Sequence, residues 1–90
     1  MQSNKKTILV VDDDPNILMA LQLRLKSRGY NVLTAPDGAT ALSLTGVMKP
    51  DLVITDIWMP VGVGFSLAFR LKQSMPDVPL IFLTASKQTE

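Results

Sequence analysis

Four short apolar runs alternate along the chain with segments in which apolar residues recur at helical spacing. The runs cover residues 7–11, 30–35, 51–56 and 80–84, and branched apolar residues dominate them. Runs of this length and composition, bounded by charged or turn-forming residues, are typical of β-strands. The first run is apolar at every position from Ile8 to Val11, which predicts a strand covered on both faces.

The three segments between the runs predict helices. Pro15 suits the first turn of the first helix, and Gly29 is placed to end that helix. The second helix follows a turn at residues 36–38 and is expected to close at Gly46 and Pro50. The predicted buried face of the first helix consists of Ile17, Leu18, Ala20, Leu21 and Leu25.

Strands alternating with helices at this spacing predict right-handed βαβ units and a parallel sheet, so the fold class is α/β. In such doubly wound sheets, ligands bind outside the carboxyl ends of the strands. Asp12, Asp13, Asp56 and Thr84 all fall at the carboxyl ends of predicted strands. The sequence therefore predicts a functional site at that edge of the sheet.

Composition limits the classes of function that need consideration. Ninety residues with 47% hydrophobic content suit one globular domain with a single core. The net charge is +1 and the basic residues are scattered along the chain, so the composition does not predict direct nucleic-acid binding. The chain contains no cysteine and no histidine, which excludes a thiolate metal site, a thiol nucleophile and a histidine general base.

The amino terminus carries lysines without an apolar stretch behind them, and no apolar run approaches the length of a membrane span. We therefore expect a cytoplasmic protein without a membrane partner.

The acidic triplet Asp12-Asp13-Asp14 follows a strand that is predicted to be buried. If the first and third strands are neighbours, Asp12, Asp13 and Asp56 share a narrow pocket, and repulsion prevents all three from staying ionised without a cation. Carboxylate oxygens favour Mg²⁺, with Mn²⁺ as the other candidate. Helix capping is the competing interpretation, and we prefer it for Asp14, which precedes Pro15.

Three segments in the same order carry a resemblance to a known family. They are residues 10–15, residues 50–60 followed by Gly64, and residues 83–85. The pattern is similar to the receiver domain of bacterial response regulators in two-component systems, and the match extends over almost the whole chain. This resemblance implies a flavodoxin-like parallel sheet with the strand order 2-1-3-4 over the part of the fold that is present.

The resemblance also assigns roles to individual residues. It implies that Asp56 is the phosphoacceptor, that Asp13 binds Mg²⁺ directly and that Asp12 binds it through water. The backbone carbonyl of Trp58 would complete the protein ligands, and Thr84 would be the switch hydroxyl. Because the chain has no histidine, the implied phosphodonor partner is a sensor histidine kinase or a phosphotransfer protein, and the chain is not expected to be an enzyme with a separate substrate.

The chain departs from the family pattern at its end. Receiver domains continue through a fourth helix, a fifth strand with a lysine and a fifth helix, so residues 1–90 are expected to form a single receiver-like domain that is incomplete at its carboxyl terminus. Lys87 lies too close to Thr84 to be that lysine. In the order 2-1-3-4 the fourth strand is an uncovered edge, which predicts a homodimer or a segment swap.

Two further functions compete with phosphoryl acceptance. One is a receiver-like interaction or oligomerisation module that is never phosphorylated. The other is a phosphatase of the haloacid-dehalogenase type, because Asp12-Asp13-Asp14 contains the Asp-x-Asp pattern after a strand. The nucleophile would then be Asp12 instead of Asp56.

Overall fold

A computed structural model describes residues 5–56 and 63–83 of the chain, with the backbone alone for residues 63–68. Strands and helices alternate strictly in this part of the chain. The elements are β1 (Thr7–Val11), α1 (Pro15–Ser27), β2 (Asn31–Ala35), α2 (Gly38–Val47), β3 (Leu52–Asp56), α3 (Val63–Ser74) and β4 (Leu80–Leu83).

The four strands form one parallel sheet in the order β2-β1-β3-β4. After β2, the chain crosses back past β1 and forms β3 on its other side, and β4 follows beyond β3. The sheet is therefore doubly wound. Every residue of β1 is buried, as the apolar run at 7–11 predicts, because β1 lies between two strands and between two layers of side chains. The predicted α/β class and the strand order 2-1-3-4 are confirmed.

Alternate residues of the central strands supply two separate apolar layers. Leu9 and Val53 belong to a cluster that also contains Leu71 and Met75 of the α3 region. Ile8, Val10 and Ile54 point to the opposite face, where a second set of apolar side chains packs on them. Half of that set comes from α1 and the rest from β2, β3 and β4; it comprises Leu18, Leu21, Leu25, Val32, Leu52 and Leu83.

Local residue choices set the ends of α1. The Asp14 side chain accepts a hydrogen bond from the Asn16 amide at 2.9 Å, and Pro15 occupies the first helical position. Past the other end, Gly29 adopts a φ of 95°, a left-handed conformation that a side chain would disfavour. The prediction that Asp14 caps this helix is therefore confirmed.

Some predicted boundaries and positions are wrong. Ala20 was placed on the buried face of α1 but is exposed. Gly46 lies inside α2, because one glycine costs a helix only about 1 kcal/mol and does not by itself end it. Tyr30 precedes β2, and its backbone amide instead donates to the Leu25 carbonyl at the end of α1.

Among the described strands, β4 lies at the edge of the sheet, as expected, and Ile81 and Phe82 are exposed on it. Thr84, which was predicted to end this strand, lies outside the described residues. Among the helices described, none is long and apolar enough to cross a membrane.

Candidate metal centre

Asp12, which follows β1, and Asp56, the last residue of β3, lie at the same edge of the sheet. The two strands pair in parallel with Val11 opposite Thr55, so that Asp12 and Asp56 occupy the next positions along each strand. The Asp12 amide donates to the Ala35 carbonyl of β2 at 3.1 Å, which extends the sheet by one bond beyond β1. The backbone of Asp12 is thus fixed by the same kind of hydrogen bond that pairs the strands.

Three carboxylates meet at this edge. One oxygen from each of Asp12, Asp13 and Asp56 lies within 4.8 Å of the others. The side chains of Asp12 and Asp56 are completely buried, whereas Asp13 is exposed. The cluster therefore has two buried carboxylates and one carboxylate that faces solvent. The solvent-facing side is open to an incoming ion and its water ligands.

The position of Asp12 depends on the chain that follows it. The Asp14 amide donates to Asp12 Oδ1 at 2.8 Å, which closes a tight turn of the kind that aspartate makes with the amide two residues later. Sequence reasoning assigned Asp14 to capping alone and missed this second role of its backbone. An aspartate two residues before a helix cap is the local pattern that could have indicated it.

The like charges of the three carboxylates contribute repulsion to this cluster. Two ionised carboxylates no more than 4.8 Å apart repel by at least about 3 kcal/mol at an effective dielectric constant of about 20. A divalent cation placed among the three oxygens converts this repulsion into attraction. Because all three donors are hard, anionic oxygens, the set fits Mg²⁺ or Mn²⁺ and does not fit metals that prefer sulfur or imidazole.

Asp37 lies near the same edge but serves as a helix cap. Its side chain accepts a hydrogen bond from the Thr40 amide at 2.7 Å, and this bond lowers the pKa of Asp37 below its ordinary value of 3.8. A lowered pKa means that the contribution to stability is present above pH 3.8 and is lost as the pH falls through the pKa of the folded state. Capping by Asp37 therefore persists at neutral pH.

A family model described as the response regulator receiver domain matches residues 8–90. The chain belongs to the response regulator receiver family. The predicted family is confirmed, and with it the assignment to two-component signal transduction.

Curated relatives of this receiver domain are regulators of transcription. The chain is 44% identical over 85 residues to "Probable transcriptional regulator ycf27" of Cyanophora paradoxa, covering 94% of this chain and 35% of that protein. It is 41% identical over 85 residues to the alkaline phosphatase synthesis transcriptional regulatory protein PhoP of Bacillus subtilis (strain 168), with the same coverage of 94% and 35%. The chain thus spans about a third of the length of these relatives.

Solved receiver structures share the fold. The response regulator TrrA from Thermotoga maritima, crystallised in complex with Mg²⁺-BeF, superposes with a TM-score of 0.82 at 42% identity. That match covers 89% of this chain and 70% of TrrA. The chemotaxis protein CheY4 of Vibrio cholerae gives a TM-score of 0.85 at 31% identity and covers 96% of this chain and 72% of that chain.

Of the predicted site residues, the structure brings Asp12, Asp13 and Asp56 together. Trp58 and Thr84 lie outside the described residues, so the predicted carbonyl ligand and switch hydroxyl stay predictions. Leu83, the last residue of β4, pairs with Asp56 in the sheet. The described part of the receiver domain thus contains all three acidic metal-ligand candidates, and one of them, Asp56, is also the phosphoacceptor candidate.

Proposed function

We propose that this receiver domain accepts a phosphoryl group on Asp56 from a histidine kinase or a phosphotransfer protein, with Mg²⁺ as the cofactor. The observation that carries the proposal is the cluster of Asp12, Asp13 and Asp56, in which two carboxylates are completely buried and the third is exposed. Burial of two carboxylates beside a third one costs stability unless the cluster serves a cation.

In the proposed reaction, an Asp56 oxygen forms a bond to phosphorus on the side opposite to the bond that breaks. The electrons of the broken bond leave with the imidazole nitrogen when phosphohistidine is the donor, and with the departing acetate when acetyl phosphate is the donor. Asp56 itself supplies no proton, because an ionised carboxylate is the nucleophile. When bound, Mg²⁺ neutralises charge on the phosphoryl oxygens and fixes their orientation.

The other residues of the site have separate proposed roles. Asp13 would bind Mg²⁺ directly, Asp12 would bind it through water, and Asp56 would also contribute an oxygen. The backbone carbonyl of Trp58 completes the protein ligands, and the Thr84 hydroxyl turns toward the phosphoryl group after transfer. We place this reaction in the cytoplasm, with a separate protein as the donor and any output function in a partner or another domain.

Intact-mass measurement tests the proposal directly. Incubation with acetyl phosphate and Mg²⁺ is expected to add the mass of one phosphoryl group to the wild-type chain. Asp56→Asn is expected to abolish the gain, because an amide oxygen is a poor nucleophile. Asp51→Asn is the matched control, since Asp51 directly precedes β3 at the other end of the same strand and is exposed there.

The control variant is expected to gain the phosphoryl mass at the wild-type level. If the wild-type protein is folded by circular dichroism and its mass does not change, the proposal is wrong. Mapping the modified residue by peptide fragmentation separates this function from the phosphatase alternative, in which Asp12 would carry the group.

One observation favours the second candidate, an interaction module without phosphorylation. β4 is an edge strand that exposes Ile81 and Phe82, and such edges pair with strands of other chains. We propose that β4 is the surface for a homodimer or a segment swap. Light scattering at micromolar concentration that gives a monodisperse monomer would contradict this, and Ile81→Lys is expected to prevent the association where it occurs.

A further inference from the structure

Although the net charge is only +1, positive and negative side chains are concentrated at opposite ends of the sheet. No acidic residue occurs between Asp14 and Asp37, and no basic residue occurs in residues 10–16 or 34–40. The fold converts this separation along the chain into a separation in space, because α1 runs antiparallel to β1 and returns the chain to the amino end of the sheet.

Five basic side chains gather at the amino end, and we call this set the basic end. Its backbone is tied together: the Asn31 amide donates to the Lys6 carbonyl at 2.9 Å, and the Arg28 amide donates to the Leu25 carbonyl at 3.0 Å. The basic end comprises Lys5, Lys6, Arg24, Lys26 and Arg28, all of them exposed. Lys49, which forms an ion pair with Asp77 at 3.3 Å, and the exposed Asp51 also lie at this end, where basic side chains remain in excess.

The opposite end of the same two strands is acidic. Asp12 is tied to β2 by its bond to the Ala35 carbonyl, and Asp37 follows two residues after Ala35. We call Asp13, Asp14 and Asp37 the acidic end, because these side chains reach solvent there whereas Asp12 and Asp56 are buried. The domain is therefore a dipole with a small net charge.

Helix stabilisation explains only part of the basic end. Cations in the last turn of a helix interact favourably with its dipole, which accounts for Arg24 and Lys26. Lys5 and Lys6 precede β1 and gain nothing from that effect. Arg24 and Arg28 also repel each other at a spacing of four residues. The fold thus concentrates like charge beyond what its own stability requires.

We propose that the basic end of one copy docks on the acidic end of a second copy, in a head-to-tail contact that salt weakens. Charge complementarity is the argument, since each copy carries both surfaces and a net charge near zero removes the overall repulsion between copies. Tyr30, directly after Gly29 and partly exposed, adds aromatic surface beside the arginines. The contact does not require phosphorylation of Asp56, but Mg²⁺ bound at Asp13 would weaken it, so it is tested in chelator.

Sedimentation velocity tests this contact as a function of protein concentration. Copies are expected to associate at ~10 mM NaCl, where charges interact over about 30 Å, and to separate at ~1 M, where the range is about 3 Å. Arg24→Gln combined with Arg28→Gln is expected to weaken association about tenfold, as the loss of two exposed ion pairs implies. Arg70→Glu is the matched control, because it changes the net charge equally from an exposed position on α3.

A mixing experiment identifies the opposing surface. Asp13→Asn combined with Asp37→Asn removes charge from the acidic end and keeps an oxygen acceptor at the cap of α2. Each double variant alone is expected to associate about tenfold more weakly than the wild-type protein at low salt. A mixture of the two is expected to form a 1:1 complex, because one variant retains the acidic end and the other retains the basic end.

Three outcomes would overturn the proposal. The first is a wild-type protein that remains monomeric at low salt. The second is association that rises with salt or survives the arginine double variant, which would point to the apolar β4 edge instead. The third is a monomer that binds a duplex oligonucleotide through Arg24 and Arg28, which would make the partner a polyanion.

Discussion

The two aspartates at the ends of β3 have opposite environments. At the amino end, Asp51 Oδ2 accepts a hydrogen bond from the Thr7 amide at 2.7 Å, and the Asp51 amide donates to the Thr7 carbonyl at 2.8 Å. At the carboxyl end, Asp56 is completely buried within 4.8 Å of two other carboxylates. The same residue type thus stabilises the sheet at one end and introduces repulsion at the other.

The direction of a parallel sheet explains the difference. At the amino end of a strand, some backbone N–H groups have no hydrogen-bond acceptor on the neighbouring strand. A carboxylate such as Asp51 can accept from them. Strand carboxyl ends present carbonyl oxygens, which cannot donate to a carboxylate. A buried acid at the carboxyl end therefore depends on loop amides, as Asp12 does through the Asp14 amide, or on a cation.

Mg²⁺ is expected to produce the largest difference between the two ends. At a concentration 100 times its dissociation constant, a ligand that binds only the folded state adds about 2.7 kcal/mol to the free energy of unfolding. Wild-type protein and Asp51→Asn are expected to melt at a higher temperature with Mg²⁺, and Asp56→Asn to respond much less. Differential scanning fluorimetry measures this, and the emission of Trp58 is expected to change with binding.

Equal responses of Asp56→Asn and wild-type protein to Mg²⁺ would place the ion elsewhere. NaCl at matched ionic strength is the control for general screening.

Substitution by asparagine without metal is expected to change stability in opposite directions at the two ends. Asp56→Asn removes one charge from the cluster and is expected to raise the free energy of unfolding by about 1 kcal/mol. Asp51→Asn replaces a charged acceptor for the Thr7 amide by a neutral one and is expected to lower it by about 1 kcal/mol. Urea unfolding at neutral pH in chelator measures both.

A loss of stability in Asp56→Asn would mean that its carboxylate is net stabilising even without metal. The contrast between the ends of β3 would then be wrong.

Asp14→Ala is expected to show the smallest effect and to separate capping from metal binding within the triplet. Loss of the bond from the Asn16 amide is expected to lower the free energy of unfolding by about 1 kcal/mol. The loss should be equal with and without Mg²⁺, because the Asp14 amide that holds Asp12 is retained in alanine. Thermal melts with and without Mg²⁺ test this, and a lost Mg²⁺ response would show that the Asp14 side chain contributes to the metal site.

Much of the fold is readable from local patterns. The apolar run at 7–11 became the fully buried β1, Pro15 and Gly29 mark the two ends of α1, and Asp14 caps that helix as predicted. The two ends of α1 depend on neighbouring residues alone, whereas the burial of β1 is indicated by its own apolar residues but is completed by the strands and side chains around it. The family pattern supplied the strand order, which periodicity does not determine.

Errors in prediction have two kinds of cause. Ala20 fits the apolar spacing of α1, yet it is exposed, because the width of the buried face depends on what distant parts of the chain pack against the helix. Tyr30 fits the β2 pattern, but the local closure of α1 takes its amide, which donates to the Leu25 carbonyl five residues earlier.

The sequence by itself determined which residues carry chemistry: the carboxylates that end β1 and β3, the cap of α1 and the absence of histidine and cysteine. Only the tertiary structure decided that Asp12 and Asp56 are buried together while Asp13 faces solvent, and that scattered lysines and arginines meet at the opposite end of the sheet. Strand pairing and helix direction place residues that are far apart in sequence, and burial then sets how strongly their charges interact.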